Sequence, residues 1–186
     1  VWGREQDELD RVRAWSLLTG KPRLFVINVG EEDLPSGGVW AEMVREHAAD
    51  QGGEVAVICA QTEMDLAGWS ADEAESYLDE LGVKVTGLDQ VVAAGFRLLD
   101  LVTFFTTTGG KEVRSWPIPC NTAALAAAGK IHTDMERGFI RAEVIPVDEL
   151  LATGSWAAAR EAGRIRIEGR SYLIQDGDVI HFRFAV

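Results

Sequence analysis

Cysteine is scarce in this chain, and its two copies, Cys59 and Cys120, form neither a disulfide framework nor a metal-ligand spacing. Both read as reduced thiols, of the kind expected in a cytoplasmic protein. Histidine is equally thin: His47, His132 and His181 lie far apart, so no metal site is legible. No apolar run approaches the ~20 residues that span a bilayer, and the opening Val1-Trp2-Gly3-Arg4-Glu5 does not read as a signal peptide. A membrane is therefore not an expected partner. Internal repeats and low-complexity tracts are missing too. So is any G-x-x-x-x-G-K-[ST] segment, which leaves nothing in the sequence to cradle α/β-phosphates or to present a hydroxyl to Mg2+.

Basic charge is short in one place. The 186 residues carry a net charge of −12, on an otherwise ordinary background of 47 % hydrophobic and 26 % charged side chains. Residues 1–100 hold 8 basic and 20 acidic side chains, whereas residues 101–186 hold 10 of each. The deficit thus sits wholly in the first part, which marks a boundary near residue 100 in a chain long enough for two small domains. It also argues against a protein that coats DNA or RNA through phosphate neutralisation, and DNA is not an expected partner.

Hydrophobic spacing then sets the elements. Residues 2–18 place Trp2, Leu9, Val12, Trp15 (or Leu17) and Leu18 at mixed three- and four-residue steps. That predicts an amphipathic helix stopped by Thr19-Gly20 and Pro22, with a beginning that resembles no cap. Leu24–Ile27 and Val55–Ile58 are short continuous apolar runs of the buried parallel-strand kind. Between them Ser36 to Asp50 reads as a helix capped by Ser36 and closed by Gly52-Gly53. Strand, helix and strand together predict a βαβ unit with a right-handed crossover. A further helix over Ser70–Leu81 opens on a Ser70/Glu73 capping box, and another follows over Leu88–Leu99.

Beyond residue 100 the texture is β-rich. Leu101–Thr106 and Glu112–Ile118 form a hairpin around Gly109-Gly110. Asn121 is expected to cap an Ala-rich helix ending near Gly129. Phe139–Ile145 reads as a strand, Pro146–Ala152 and Ser155–Ala162 as helices. Arg164–Glu168 and Tyr172–Ile174 flank a turn at Gly169, and Val179–Phe184 closes the series. Two strands, a helix and further short strands fit a β-grasp, ubiquitin-like fold.

In a parallel α/β sheet, ligands sit beyond the carboxyl ends of the strands. The first strand runs into Asn28-Val29-Gly30-Glu31 and the second into Cys59-Ala60-Gln61. GTPases read a base with an Asn-Lys-x-Asp loop after one strand and a Ser-Ala-Lys loop after the next. The Asn amide both donates to and accepts from the base edge, the carboxylate accepts from guanine N1–H and its exocyclic amine, and the Ala N–H meets the exocyclic group. Here Val29 replaces Lys, Glu31 replaces Asp, and the second loop keeps Ala60 alone. The plainer alternative is that Asn28 is a strand-end turn residue, Glu31-Glu32-Asp33 a solvated acidic run and Cys59 a small buried side chain.

Longer segments carry a family resemblance. Lys21-Pro22 through Asn28-Val29 resembles the "KPxxxxxNV" segment of the YchF subfamily of Obg-like P-loop NTPases. Leu101 to Phe105 and Lys111-Glu112-Val113-Arg114-Ser115-Trp116 resemble the start of that family's TGS domain. Ile131-His132-Thr133-Asp134-Met135-Glu136-Arg137-Gly138-Phe139-Ile140-Arg141-Ala142-Glu143-Val144 is similar to its most recognisable segment, "GxIHxDFERGFIRAEV", with Met135 where Phe is common. Ala158 to Gly163 and Gln175 to Phe184 complete a resemblance that covers essentially the whole chain.

The resemblance implies an α/β chain: the C-terminal portion of a P-loop NTPase-type parallel sheet domain, followed by a β-grasp TGS domain. Residues 1–20 would be the end of a helical insertion, 21–98 the last part of the G domain, and 101–184 the TGS domain. In the family the P-loop, metal-side loop and switch segments lie N-terminal to the part matched here. The chain is therefore expected to be incomplete, with hydrolysis belonging to an intact protein that binds ATP or GTP with Mg2+. The Glu31 departure goes with relaxed guanine selectivity, because one extra methylene displaces the acceptor for guanine N1–H while Asn28 still serves an adenine amino group. Gly30 replaces a more usual polar residue.

For the second domain the implied partner is the ribosome or ribosomal RNA. Its candidate contacts are Lys111, Arg114, Lys130, His132, Arg137 and Arg141, interleaved with Phe105, Trp116 and Phe139. The alternative reading makes the aromatics core and the arginines an ordinary mixed surface. His132 and His181 read as structural hydrogen-bonders, since no nucleophile or metal constellation surrounds them. Two function classes result: part of a nucleoside triphosphatase whose base loops are here, or a TGS-mediated binding module without catalytic activity of its own.

Overall fold

The structure, a computed structural model, describes residues 11, 14–108 and 112–185. Most of the helix expected over residues 2–18, and Lys111, lie outside the described residues. The chain divides between Leu99 and Asp100 into two compact units.

In the first unit β1 (Leu24–Asn28) and β2 (Glu54–Ile58) pair in parallel, in a register that sets Asn28 opposite Ile58. The connecting helix α1 (Gly38–Asp50) buries Ala41 and Ala48. It starts two residues later than expected. Gly37 and Gly38 both take positive φ, and a Cβ at Gly37 would meet that of Ala41, so the chain turns into the helix on glycines. Ser36 Oγ accepts from the Gly38 N–H at 3.3 Å without being the capping residue.

Beyond β2 the sequence reading missed an element. The segment expected as a loop is the first turn of α2 (Ala60–Leu66), with Cys59 as its N-cap. Then follow α3 (Ala71–Glu80) and α4 (Gly87–Leu98). Both halves of the Ser70/Glu73 capping box form, and the Ser70 hydroxyl and N–H hold the Glu73 carboxyl below its ordinary pKa. Thr86 caps α4 by accepting from the Asp89 N–H at 3.1 Å. The Glu63 carboxylate accepts from the Gly87 N–H at this same positive helix end.

The second unit is a five-stranded mixed sheet in the order β4-β3-β7-β5-β6. Strands β3 (Leu101–Thr108) and β4 (Glu112–Pro119) form the antiparallel hairpin. Strand β7 (Asp178–Phe184) enters beside β3 in parallel, through Phe105 and Val179. On its other side β7 pairs antiparallel with β5 (Phe139–Pro146), which pairs antiparallel with β6 (Arg166–Glu168).

Alternation along these strands sends side chains to two faces. On one, Phe104, Ile118, Phe139, Ala142, Val144 and Ile180 pack with Ala124, Ala127 and Ala128 of α5 (Ala124–Ile131). Alanine on that helix lets its backbone approach the sheet closely. On the other, Ile145 and Val179 pack with Ala159 of α8 (Trp156–Glu161), after α7 (Val147–Thr153).

Two expectations fail here. Asn121 sits at φ +62° in the preceding turn and does not cap α5, which begins three residues later behind Ala123 and runs to Ile131. Residues Tyr172–Ile174 follow the expected turn at Gly169 but form no strand beyond an isolated bridge from Leu173 to Ala123. The Tyr172 and Ile174 main chains instead bond the segment before α5, through the Ala124 N–H at 2.7 Å and the Thr122 carbonyl at 3.0 Å. The Tyr172 hydroxyl reaches buried Asp178 at 2.7 Å, and burial with that hydrogen bond pushes its pKa up to about 12. Among the described residues no helix is long and apolar enough to cross a membrane.

Candidate functional site

Parallel pairing brings the carboxyl ends of β1 and β2 to one edge, and the two loops meet there. The Val29 N–H donates to the Ile58 carbonyl at 2.9 Å, and Asn28 Oδ1 accepts from the Ala60 N–H at 2.9 Å. Asn28 and Ala60 are thus joined directly. This changes the role expected of Ala60, whose N–H is engaged by Asn28 and not held open for a purine. A carbonyl oxygen has a second lone pair, so Asn28 can still accept once and donate through its amide nitrogen.

Glu31 turns toward the helices that follow. Its Oε2 accepts from the Thr62 hydroxyl at 3.2 Å and from the Tyr77 hydroxyl at 2.8 Å; Oε1 makes no hydrogen bond among the described residues. The carboxylate raises the Tyr77 pKa through that hydrogen bond first. Glu31, Thr62, Tyr77, Asp65, Leu66 and Trp69 line a hollow of about 290 Å3. Cys59 is buried, and Gln61 is drawn to Asp65 at 2.9 Å along α2.

In the second unit, the five candidate contacts among the described residues are spread over several elements. Arg114 on β4 is ion-paired with Glu112 at 2.9 Å. Lys130 lies in the last turn of α5, and Arg137 in that of α6 (Thr133–Arg137). His132 is the N-cap of α6, its Nδ1 accepting from the Asp134 N–H at 3.1 Å, a structural role. Arg137 and Arg141 share no helical face. Gly138 ends α6, and a Cβ there would strike the Ala185 carbonyl oxygen. The aromatics pack in or against the core. Phe139 is buried, Phe105 packs under the second face, and Trp116 stacks on Phe104 at 6.5 Å while donating to Thr106 Oγ1. His181 Nε2 lies 2.7 Å from Thr107 Oγ1, and its ring packs on Trp156.

Arg141 has company that sequence reasoning missed. Arg160 on α8 and Arg183 on β7 join it around buried Glu143, at 2.8 to 3.1 Å. These two partners lie 17 and 40 residues from Glu143, and the pairing of β5 with β7 together with the docking of α8 assembles them. Their charges hold the Glu143 carboxyl down to about 2, Arg183 contributing most, although burial opposes it.

Comparison with known proteins identifies relatives of the chain. Residues 101–185 match the family model YchF-GTPase_C, described as "Protein of unknown function (DUF933)". The chain is 47 % identical over 184 residues to the Ribosome-binding ATPase YchF of Bacillus subtilis, covering 98 % of this chain and 50 % of that protein. With the protein of the same name from Pasteurella multocida the identity is 43 % over 182 residues, with 98 % and 50 % covered. The solved structure of the Schizosaccharomyces pombe YchF GTPase superposes with a TM-score of 0.84 at 28 % identity, over 98 % of this chain and 48 % of that one. The chain spans about half the length of the curated relatives it matches. On sequence, family model and fold together, the chain belongs to the YchF family.

Proposed function

We propose that this chain supplies the base-recognition corner and the TGS domain of a ribosome-binding, cytoplasmic nucleoside triphosphatase that favours ATP. The observation that carries the reading is the hydrogen bond from the Ala60 N–H to Asn28 Oδ1, which fixes the amide beyond the carboxyl ends of two parallel strands. An amide so held can pair with an adenine edge by accepting from the amino group and donating to a ring nitrogen. Guanine is served less well. Oε2 of Glu31 is committed to Thr62 and Tyr77, so the carboxylate lacks two free oxygens to accept from N1–H and the exocyclic amine together.

The fit ends at the base. The sequence has no P-loop, and among the described residues no group of three or more His, Cys, Asp or Glu side chains could hold a metal ion. The triphosphate and Mg2+ would be held by a P-loop domain of the intact protein, and no hydrolytic step is assigned to these residues. The test is Asn28→Ala in that intact protein, with fluorescent ATP and GTP analogues. ATP affinity should fall about tenfold or more, which is roughly 1.4 kcal/mol, and discrimination against GTP should narrow. Unchanged affinities for both would remove the base corner from the account.

A second reading rests on a separate observation. The order β4-β3-β7-β5-β6, with β3 and β7 parallel at the centre and α5 across one face, is in keeping with a β-grasp sheet. This supports a TGS domain at residues 101–184 that docks on the ribosome independently of nucleotide. Co-sedimentation of the chain with ribosomes, without added nucleotide, is the expected result; no association would leave this reading without support.

A further inference from the structure

Three arginines, from β5, β7 and α8, surround one carboxylate in the middle of β5. Glu143 accepts from Arg183 Nε and Nη2 at 3.1 and 3.0 Å, from Arg160 Nη2 at 2.8 Å and from Arg141 Nη2 at 3.1 Å. Arg141 and Arg183 stand directly opposite on β5 and β7, a like-charge pairing that sheets disfavour. Glu143 offsets one of the three positive charges, so the cluster carries more cation than its own fold uses.

Each guanidinium has five N–H donors. Glu143 takes two from Arg183 and one each from the others, and the three side chains make no other hydrogen bond among the described residues. They are 47 %, 56 % and 47 % exposed, and with Ile165 and Ile167 they line a hollow of about 400 Å3. The buried carboxylate fixes the guanidiniums in place, so a second anion meets donors already ordered, which is the arrangement that favours phosphate.

We propose that Arg141, Arg160 and Arg183 form a phosphate-binding site whose ligand is the sugar–phosphate backbone of RNA. Two observations favour a polymer over a free phosphate. Arg183 also lines a neighbouring hollow of about 460 Å3 with Arg114 and Trp116, so a ligand with repeated phosphates can occupy both. Ile167 stands 67 % exposed beside the cluster, an apolar surface for a ribose or base. With 10 basic and 10 acidic side chains in residues 101–186, the attraction is local to this face. The inference rests on the ribosome-docking reading and gives it a surface.

The experiment uses the whole 186-residue chain and a fluorescein-labelled single-stranded RNA of about 20 nucleotides, read by anisotropy across a salt series. R141Q/R160Q leaves the bidentate Arg183–Glu143 pair intact, and a thermal melt checks its fold; R160Q alone, which gives up one hydrogen bond, serves if the double variant melts early. The double variant should weaken RNA binding about tenfold and lower the slope of log K against log salt by roughly 1.4, two phosphate contacts at ~0.7 each. R141K/R160K, which keeps the charge, should recover part of the affinity. Unchanged affinity and slope in R141Q/R160Q overturn the site. Arginine-dependent binding of inorganic pyrophosphate with no RNA binding overturns RNA as its ligand. Failure of the wild-type chain to sediment with ribosomes, with arginine-dependent RNA binding intact, removes the docking reading and leaves the site.

Discussion

Trp40 on α1 is 77 % exposed and Val26 on β1 is 47 % exposed, whereas Phe104 and Ile180 in the second unit's sheet are fully buried. The contrast follows from strand number. Two parallel strands have two edges and little interior, and the side chains buried in the first unit are mostly small: Ala41, Ala48, Ala56, Val57, Cys59 and Ala94. Five strands with helices on both faces enclose two apolar clusters. Local polar contacts therefore set the shape of the first unit's loops, and packing sets that of the second. The two proposed sites differ in the same way, a corner made of hydrogen bonds in one unit and a charged face on a sheet in the other.

Five substitutions test this contrast. The largest effect is expected from Phe104→Ala, which empties a site against Trp116 and Phe182 and should cost about 3–5 kcal/mol in urea unfolding of the second unit. Trp40→Ala in the first unit should change stability by less than ~0.5 kcal/mol. A comparable loss from Trp40→Ala would break the contrast.

Next in size is an acid effect confined to the second unit. The Glu143 carboxyl is lowered from 4.5 to about 2 in the folded state, so its contribution is present above the unfolded pKa and is lost as pH falls through about 2. Water around the half-exposed guanidiniums limits this to the order of 1–2 kcal/mol. Unfolding midpoints measured between pH 6 and pH 2 should show the loss in the wild type and flatten in Glu143→Gln. Tyr172→Phe comes third, at about 1 kcal/mol, because it removes a donor to buried Asp178; an unchanged melting temperature would show that water replaces the hydroxyl. Smallest is Ser70→Ala, which should speed amide exchange in the first turn of α3 and leave the second unit untouched.

What was legible in the sequence follows the physical range of each signal. Capping at Ser70/Glu73, the alternation over Phe139–Ile145 and the hairpin strands flanking Gly109-Gly110 depend on neighbours a few residues away, and the described parts of those elements stand where expected. Helix α2 was missed because Ala60 to Leu66 follows a strand without a capping side chain, so Cys59-Ala60-Gln61 read as a free loop. Asn121 was misplaced because one residue type suits both a cap and a left-handed turn. At the base corner, spacing brought Asn28, Glu31 and Ala60 to notice, but the bonds that occupy Ala60 and Glu31 depend on α2 and α3 standing beside the loop. The arginine cluster needed three separate elements to converge, and only Arg141 could be singled out beforehand.

The double grip on Glu31 has a practical consequence. One oxygen holds hydroxyls from two helices, so a purine that draws the carboxylate toward itself releases both at once. Tyr77 then loosens beside Trp69, whose ring centre lies 5.4 Å from its own. Indole emission from Trp69 is therefore the signal expected to shift in a nucleotide titration if the proposed base corner fills.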